Sequence, residues 1–544
     1  MKKGKSMKKI YYGGPIITMN EKMPLVEAVG IDGEIIISVG SVKEVKNKVH
    51  SDYQLIDLNS HTMMPGFCDC HLHPIMYMIY LLSPDFSTIG SFIQFKEYIK
   101  EFSKNKPKDQ LIIGYNLNEE RFEDPVLPTR WDLDDACPDK PLFVVRYDSH
   151  IGIANSKALE LAGIDKSTIP PEGGEIRKNN DGDLTGVISE KALELLFSHM
   201  SLPSHEEMKK TLFRVSQIFA KKGLTSVHGI LDAEPYFKNN KQDLSELAVF
   251  MRFKNLFSQN CYFFIEIDDS QKLQRFISSP LNEKDKYAKF KIGGLKLFLD
   301  GTLGAKTACM HEPFTDAPEM CGFCVVEEEE IYEQMNVAHN QGFQVVIHSI
   351  GDKGCRIAMD LFIRLLKEYP KSDARHRIEH ASLLTNDVIT DMEKYGVIAS
   401  CQPPFLNSEF EWLEKRLGRE RIKYTYPFKS IIDKGAILVS GSDCPIEDPS
   451  PIQGLHALVN RNHFVPEQCI SVEQALKTYT VNAAFGSFQE NMKGSIEEGK
   501  LADLVILDKN PLDIPQDQIK DLLIMETIIR GKTVYKRGED HKFI

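Results

Sequence analysis

The sequence predicts an α/β protein organised around a (β/α)8 barrel of the TIM type. Three observations carry that expectation. Eight short apolar runs recur along the middle of the chain, stretches of helical period separate most of them, and residues of metal-ligating type close several of the runs. A small β-sandwich formed by both termini and an inserted domain complete the expected architecture.

The elements follow in order. Residues 8–62 read as short strands, in which β-branched and polar residues alternate and Gly or Asp-Gly marks the turns. The C-terminal runs LADLVILD and METIIRGKTVY read alike. One β-sandwich is therefore expected from residues 1–62 and 490–544. The barrel is expected over 63–489, with strands at 63–73, 224–230, 261–267, 292–300, 343–350, 375–381, 397–403 and 436–443. About 150 residues part the first strand from the second, where a βαβ unit needs roughly 30. An insertion is placed there, at about 85–205, with its own strand at 141–150 and a Gly-rich hairpin at 173–188.

Composition narrows the class. With 42% hydrophobic and 26% charged residues, the 544-residue chain has the balance of a globular protein. A net charge of −12 argues against a nucleic-acid partner, which calls for a basic face. The longest apolar stretch, Ile75 to Leu82, is far short of a membrane span, so no membrane partner is expected. The lysines at 2, 3, 5, 8 and 9 precede too broken an apolar run for a signal peptide, which points to the cytoplasm. The 11 cysteines form no framework and are expected as free thiols, with the Cys321–Cys324 CxxC incidental.

The chemistry lies at the strand ends. His71 and His73 close the first strand, Lys296 lies in the fourth, His348 closes the fifth, His380 the sixth and Asp443 the eighth. In a barrel the C-terminal strand ends converge on one mouth. Taken singly, a histidine at a strand end is ordinary. The HxH pair says more, because a period of two puts both rings on one face. A lysine inside an apolar strand says more again, because burying an ammonium is costly without a partner or a change of charge.

The stretch PGFCDCHLHP resembles the PGxxDxHxH signature of the amidohydrolase superfamily. Further stretches narrow the likeness to its YtcJ-like group, amidohydrolase family 3: KLFLDGTLGAKTA (296–308), HSIGDKG (348–354), RHRIEHA (375–381), ASCQPPF (399–405), GSDCPIEDPSP (441–451) and GSIEEGKLADLVILD (494–508). SHIGIANSKAL (149–159), DGDLTGVISE (181–190) and LKTYTVNAA (476–484) fit as well, so the resemblance spans nearly the whole chain.

The resemblance implies a binuclear metal centre. His71, His73 and Asp443 would hold one ion, His348 and His380 the other, and Lys296, carboxylated by CO2, would bridge them. Carboxylation would turn the buried cation into an anionic oxygen ligand. Two Zn2+ suit these nitrogen and oxygen donors. The implied reaction is hydrolysis of an amide-type C–N bond, N-acyl or N-formyl, in a small-molecule substrate. A metal-bridging hydroxide would attack, and Asp443 would shuttle its proton to the leaving nitrogen. Two alternatives stand beside it. A mononuclear deaminase of cyclic amidines would lack the bridging lysine and carry a glutamate near the fifth strand, where HSIGD offers only Asp352. A non-catalytic metal-binding relative would have lost ligands, whereas all six positions are filled here.

A second tier of residues is expected near the mouth. His228, Asp300, Gln402 and, from the insertion, His150 are candidate substrate contacts. Arg375 and His376 flank the sixth-strand ligand, while Glu379 alternates away from His380 and reads as a framework residue. For assembly the sequence offers only the general expectation of a homodimer.

Overall fold

The computed structural model describes residues 7–50, 52–147, 151–171, 174–199, 203–234, 245–267, 269–278 and 288–539. Eight parallel strands follow one another in a single sheet: β1 (Phe67–Leu72), β2 (Leu224–Asp232), β3 (Asn260–Glu266), β4 (Phe290–Phe298), β5 (Gln344–Ser349), β6 (Arg377–His380), β7 (Ile398–Cys401) and β8 (Leu438–Ser440). They are the eight expected runs in the expected order. The ring closes between the end of β1 and the loop after β8. There Asp443 N donates to His71 O at 2.7 Å and His73 N to Cys444 O at 2.8 Å. Helices such as Asp352–Glu368 and Asn386–Tyr395 join consecutive strands and satisfy the crossover that parallel pairing requires.

The inside of the barrel is filled by side chains. Ile230, Tyr262, Phe264 and Val346 form one buried layer. The double glycine of β4 makes room for it. A Cβ on Gly293 would lie 1.9 Å from the Tyr262 ring, and one on Gly294 would lie 2.6 Å from the Phe264 ring. The two aromatics therefore occupy the volume that β4 side chains would need.

Both termini join one further sheet. Its strands run Lys532–Lys536, Ile524–Ile529, Leu504–Leu507, Thr62–Pro65, Lys8–Ile17, Leu25–Asp32 and Ile35–Gly40, with Tyr53–Asp57 also paired to Lys8–Ile17. All eight are linked by hydrogen bonds, seven of them along one continuous path. The long strand Lys8–Ile17 makes this possible by changing parallel partner. Lys8–Tyr12 pair with Tyr53–Asp57, and Ile16 pairs with Met63 beyond an irregularity. Tyr11, Ile16, Val29, Met63, Leu504 and Ile528, from both ends of the chain, share its core.

Residues 75–212 and 234–252 form a separate compact unit. Its five-stranded sheet runs Gly174–Lys178, Leu184–Glu190, Ile151–Ala154, Leu142–Arg146 and Ile112–Leu117. Alternate residues of Leu142–Arg146 feed two separate cores: Leu142 and Val144 enter one, Phe143 and Val145 the other. This is the period of two expected of a strand covered on both faces. Among the described residues no helix is long and apolar enough to cross a membrane.

Refilling the glycine notch should damage the barrel. Gly293→Val is expected to cost about 1–3 kcal/mol through overpacking against Tyr262. A lowered urea midpoint for the transition reported by barrel tryptophan or tyrosine fluorescence would show it, and an unchanged midpoint would contradict this account of the packing.

Candidate metal centre

The barrel closure that joins β1 to the loop after β8 also builds the densest group of donors. His71 Nε2 lies 3.3 Å from Asp443 Oδ1, and His73 Nε2 lies 3.2 Å from the same oxygen. The three donor atoms all fall within 4.8 Å of one another. From there the other rings follow in a row. The His380 ring is 4.8 Å from that of His71, and His348 is 4.2 Å from His380. Lys296 is buried in β4, with its Nζ over the Phe298 ring at 4.7 Å and the charges of Glu379, Glu266 and Asp443 acting on it. The six residues expected to carry metal chemistry thus meet at one end of the barrel. Only His71, His73 and Asp443 form the tight cluster.

A cation fits this cluster on the chemistry of its donors. His71 Nδ1 makes a short contact with Glu379 Oε2, and a carboxylate can only accept. The Nδ1 proton is therefore committed to Glu379, and Nε2 presents a lone pair toward Asp443. His71 Nε2 is buried without a hydrogen-bond partner, as is His380 Nδ1. A lone pair and a carboxylate oxygen 3.3 Å apart need a positive centre between them. One proton links two such atoms; a metal ion binds all three.

Protonation states agree. Burial pushes the His348 imidazole down to about 3, with the Lys296 charge adding to it, and burial likewise holds His380 well below its ordinary value. Both rings are neutral near pH 7 and offer lone pairs. Burial alone would raise Asp443, but the contacts from His71 and His73 hold it well below the usual carboxylate range. Burial likewise pulls the Lys296 ammonium down.

Glu379 is where the sequence reading needs correcting. Period-two alternation made it a framework residue pointing away from His380. Alternation fails because His380 adopts φ +68°, outside the extended region, so its side chain swings toward the mouth along with that of Glu379. Glu379 then orients His71, the second-sphere role by which a carboxylate fixes the tautomer of a metal-ligating histidine. Its own charge is secured by Arg377. Burial would raise Glu379, yet Arg377 and His71 overcome this and keep it below its ordinary value. The only signal in the sequence was an Arg-x-Glu in an apolar strand, two charges that must neutralise each other once buried.

The second-tier residues separate. His228 lies in the middle of β2, fully buried, and its Nδ1 accepts from Arg377 at 3.1 Å. The structure thus places it in the barrel interior rather than at the mouth. It belongs to a second buried donor group with Cys68 and Cys70. Because the guanidinium can only donate, His228 Nδ1 must be the unprotonated nitrogen. Nε2 then carries the hydrogen and has no lone pair for a metal. Asp300 spends its carboxylate on the amides of Cys309, Ile350 and Gly351 and sits 3.8 Å from His348 Nε2, organising the loop beside that ring. Gln402 follows β7 fully buried, both its amide oxygen and nitrogen lacking partners. Arg375 turns outward to Asp373 and Glu490, and His376 pairs with His339 and the Val345 amide. His150 lies outside the described residues.

A closed ring of eight parallel strands with such a donor cluster at one end is the architecture of metal-dependent hydrolases. Residues 54–535 match the model of the amidohydrolase family, Amidohydro_3, and the chain belongs to that family. It is 32% identical to the YtcJ protein of Bacillus subtilis (strain 168), over 98% of this chain and all of that one. It is 26% identical to the N-substituted formamide deformylase of Arthrobacter pascens, over 96% of this chain and 97% of the relative. Among solved structures, an uncharacterized metal-dependent hydrolase from Pyrococcus furiosus superposes with a TM-score of 0.77 at 27% identity, covering 93% of this chain and all of that one.

Two tests follow. Glu379→Gln should keep the volume but weaken control of the His71 tautomer, lowering metal affinity about 10–100-fold in competition titrations against a chromogenic chelator; equal affinity would refute the orienting role. The second concerns acid stability. Burial, helped by His339, drives His376 down to about 3. An unfolded histidine titrates near 6.5. Between about 6.5 and 3 the unfolded chain therefore binds the extra proton, and stability falls as pH drops through that window. His376→Asn should flatten the decline of melting temperature with pH over that range.

Proposed function

We propose that the chain hydrolyses an amide-type C–N bond, N-acyl or N-formyl, in a small organic substrate. The observation that carries this reading is the convergence of His71 Nε2 and His73 Nε2 on Asp443 Oδ1 at 3.3 and 3.2 Å. Family membership and the likeness to the formamide deformylase support the bond class.

In this reading His71, His73 and Asp443 would hold one divalent ion and His348 and His380 a second, with a carboxylated Lys296 as a further ligand and zinc as the metal. Bound there, the ions supply Lewis acidity and lower the pKa of water. Asp443, kept ionised, accepts the proton of the attacking water and returns it to the nitrogen that leaves. Glu379 holds the His71 ring in register, and Asp300 holds the loop beside His348. Phe298, 40% exposed beside His348, and Phe405, stacked on His380 at 6.2 Å, offer apolar surface for the substrate flanking the scissile bond. Gln402, with both amide atoms free, is suited to a substrate amide. A one-ion centre is the second reading, favoured by the fact that the tight cluster holds only three donors.

Elemental analysis combined with turnover of a panel of N-formyl and N-acyl amides tests both. About two ions per chain, lost together with activity on chelation, is the expected result; one ion favours the second reading. Asp443→Asn is expected to lower turnover about 10²–10⁴-fold, the usual worth of a general acid–base group. Retained turnover in that variant would defeat the proposed proton path.

A further inference from the structure

The loop that follows β4 carries three cysteines that the hydrolytic reading does not use. Cys309 Sγ and Cys324 Sγ lie 3.4 Å apart, in contact but unbonded. Cys309 is buried, Cys324 is partly exposed and Cys321 is exposed. The segments bearing them are laid closely together: Met310 N donates to Cys321 O at 2.8 Å and Phe323 N to Thr307 O at 3.3 Å. Gly322 lets them approach, since it adopts φ +64° and a Cβ there would lie 1.9 Å from Ala308 O. The pair also flanks Asp300, which accepts from Cys309 N and forms a β-bridge with Cys324.

We infer that Cys309 and Cys324 are a thiol–disulfide modification site, oxidised by a low-molecular-weight disulfide that reacts first with Cys321. The Cys321 thiolate attacks the small disulfide and releases one small thiol. Cys324 then displaces the second small thiol, leaving a Cys321–Cys324 disulfide. Cys309 finally attacks the Cys324 sulfur and returns Cys321 to a thiol. Two protein thiols become one disulfide, one small disulfide becomes two thiols, and the two protons leave on those thiols. The order follows from exposure, and acidity supports it. Burial raises the Cys309 thiol to about 12, with Cys324 adding to it, and burial raises Cys324 too. Neither is suited to begin the exchange. The product would staple the loop at Asp300, next to His348.

The full-length protein is incubated with oxidised glutathione, alkylated and digested without reductant. A peptide pair joined through Cys309 and Cys324 is expected, with two of the eleven thiols lost from titration in denaturant and recovered with dithiothreitol. Cys321→Ser should form the same bond several-fold more slowly. If Cys309 and Cys324 stay free while glutathione remains on Cys321 of the unmutated chain, the proposal is overturned. An unchanged rate in Cys321→Ser overturns the relay. Since the decisive measurement is made on the unmutated protein, a misfolded variant cannot obscure it.

Discussion

A buried ion pair organises the end of this barrel where the candidate donors meet. Arg377 and Glu379 stand two residues apart on β6, with Nε and Oε1 2.7 Å apart and almost no exposure. Removing both charges from water costs several kcal/mol per ion, so the arrangement holds only while nearly every polar atom is engaged. Arg377 meets that condition across four strands: it donates to Cys70 O on β1, approaches His228 on β2, pairs with Glu379 on β6 and donates to Ser400 Oγ on β7. Glu379 passes the constraint on to His71. The charge that locks the strands together is thereby the charge that fixes the ring tautomer of a candidate ligand.

The mouth above this pair is strained in a way that suits its role. His380 and Asp443 both hold positive φ, at +68° and +58°, although neither is glycine. Such conformations cost of order 1–3 kcal/mol each and persist where surrounding structure over-determines them. Here the barrel closure supplies that structure. The Asp443 amide is tied to His71 O, so the backbone bond that completes the ring also sets the carboxylate against the two histidines. Asp69 reinforces the seam by accepting from the amides of His71 and Ser442 and from the Ser442 hydroxyl.

Loops supply what the strands cannot. The segment after β4 returns Asp300 to the amides at the end of β5, and the apolar faces of Phe298 and Phe405 border the same end of the barrel. Metal-type donors thus come from strand ends, Asp300 from the loop after β4, and apolar surface from Phe298 at the end of β4 and Phe405 at the start of the helix Phe405–Leu417.

The sequence by itself determined the ring and put most of the candidate donors at its strand ends. Eight apolar runs with intervening helices have one economical solution, and HLH, Lys296, His348, His380 and Asp443 lie at or near strand ends because their spacing follows the period of the chain. Tertiary structure decided what period alone cannot. The positive φ of His380 put its ring on the same side as Glu379, which meets His71, and the Arg377 contact turned His228 into a framework group with the wrong tautomer for a metal. The change of partner along Lys8–Ile17 merged the terminal strands into one sheet. The physical reason is the same in each case. Alternation is a local property of extended backbone, whereas the direction of a lone pair or a buried charge is set by groups brought from hundreds of residues away.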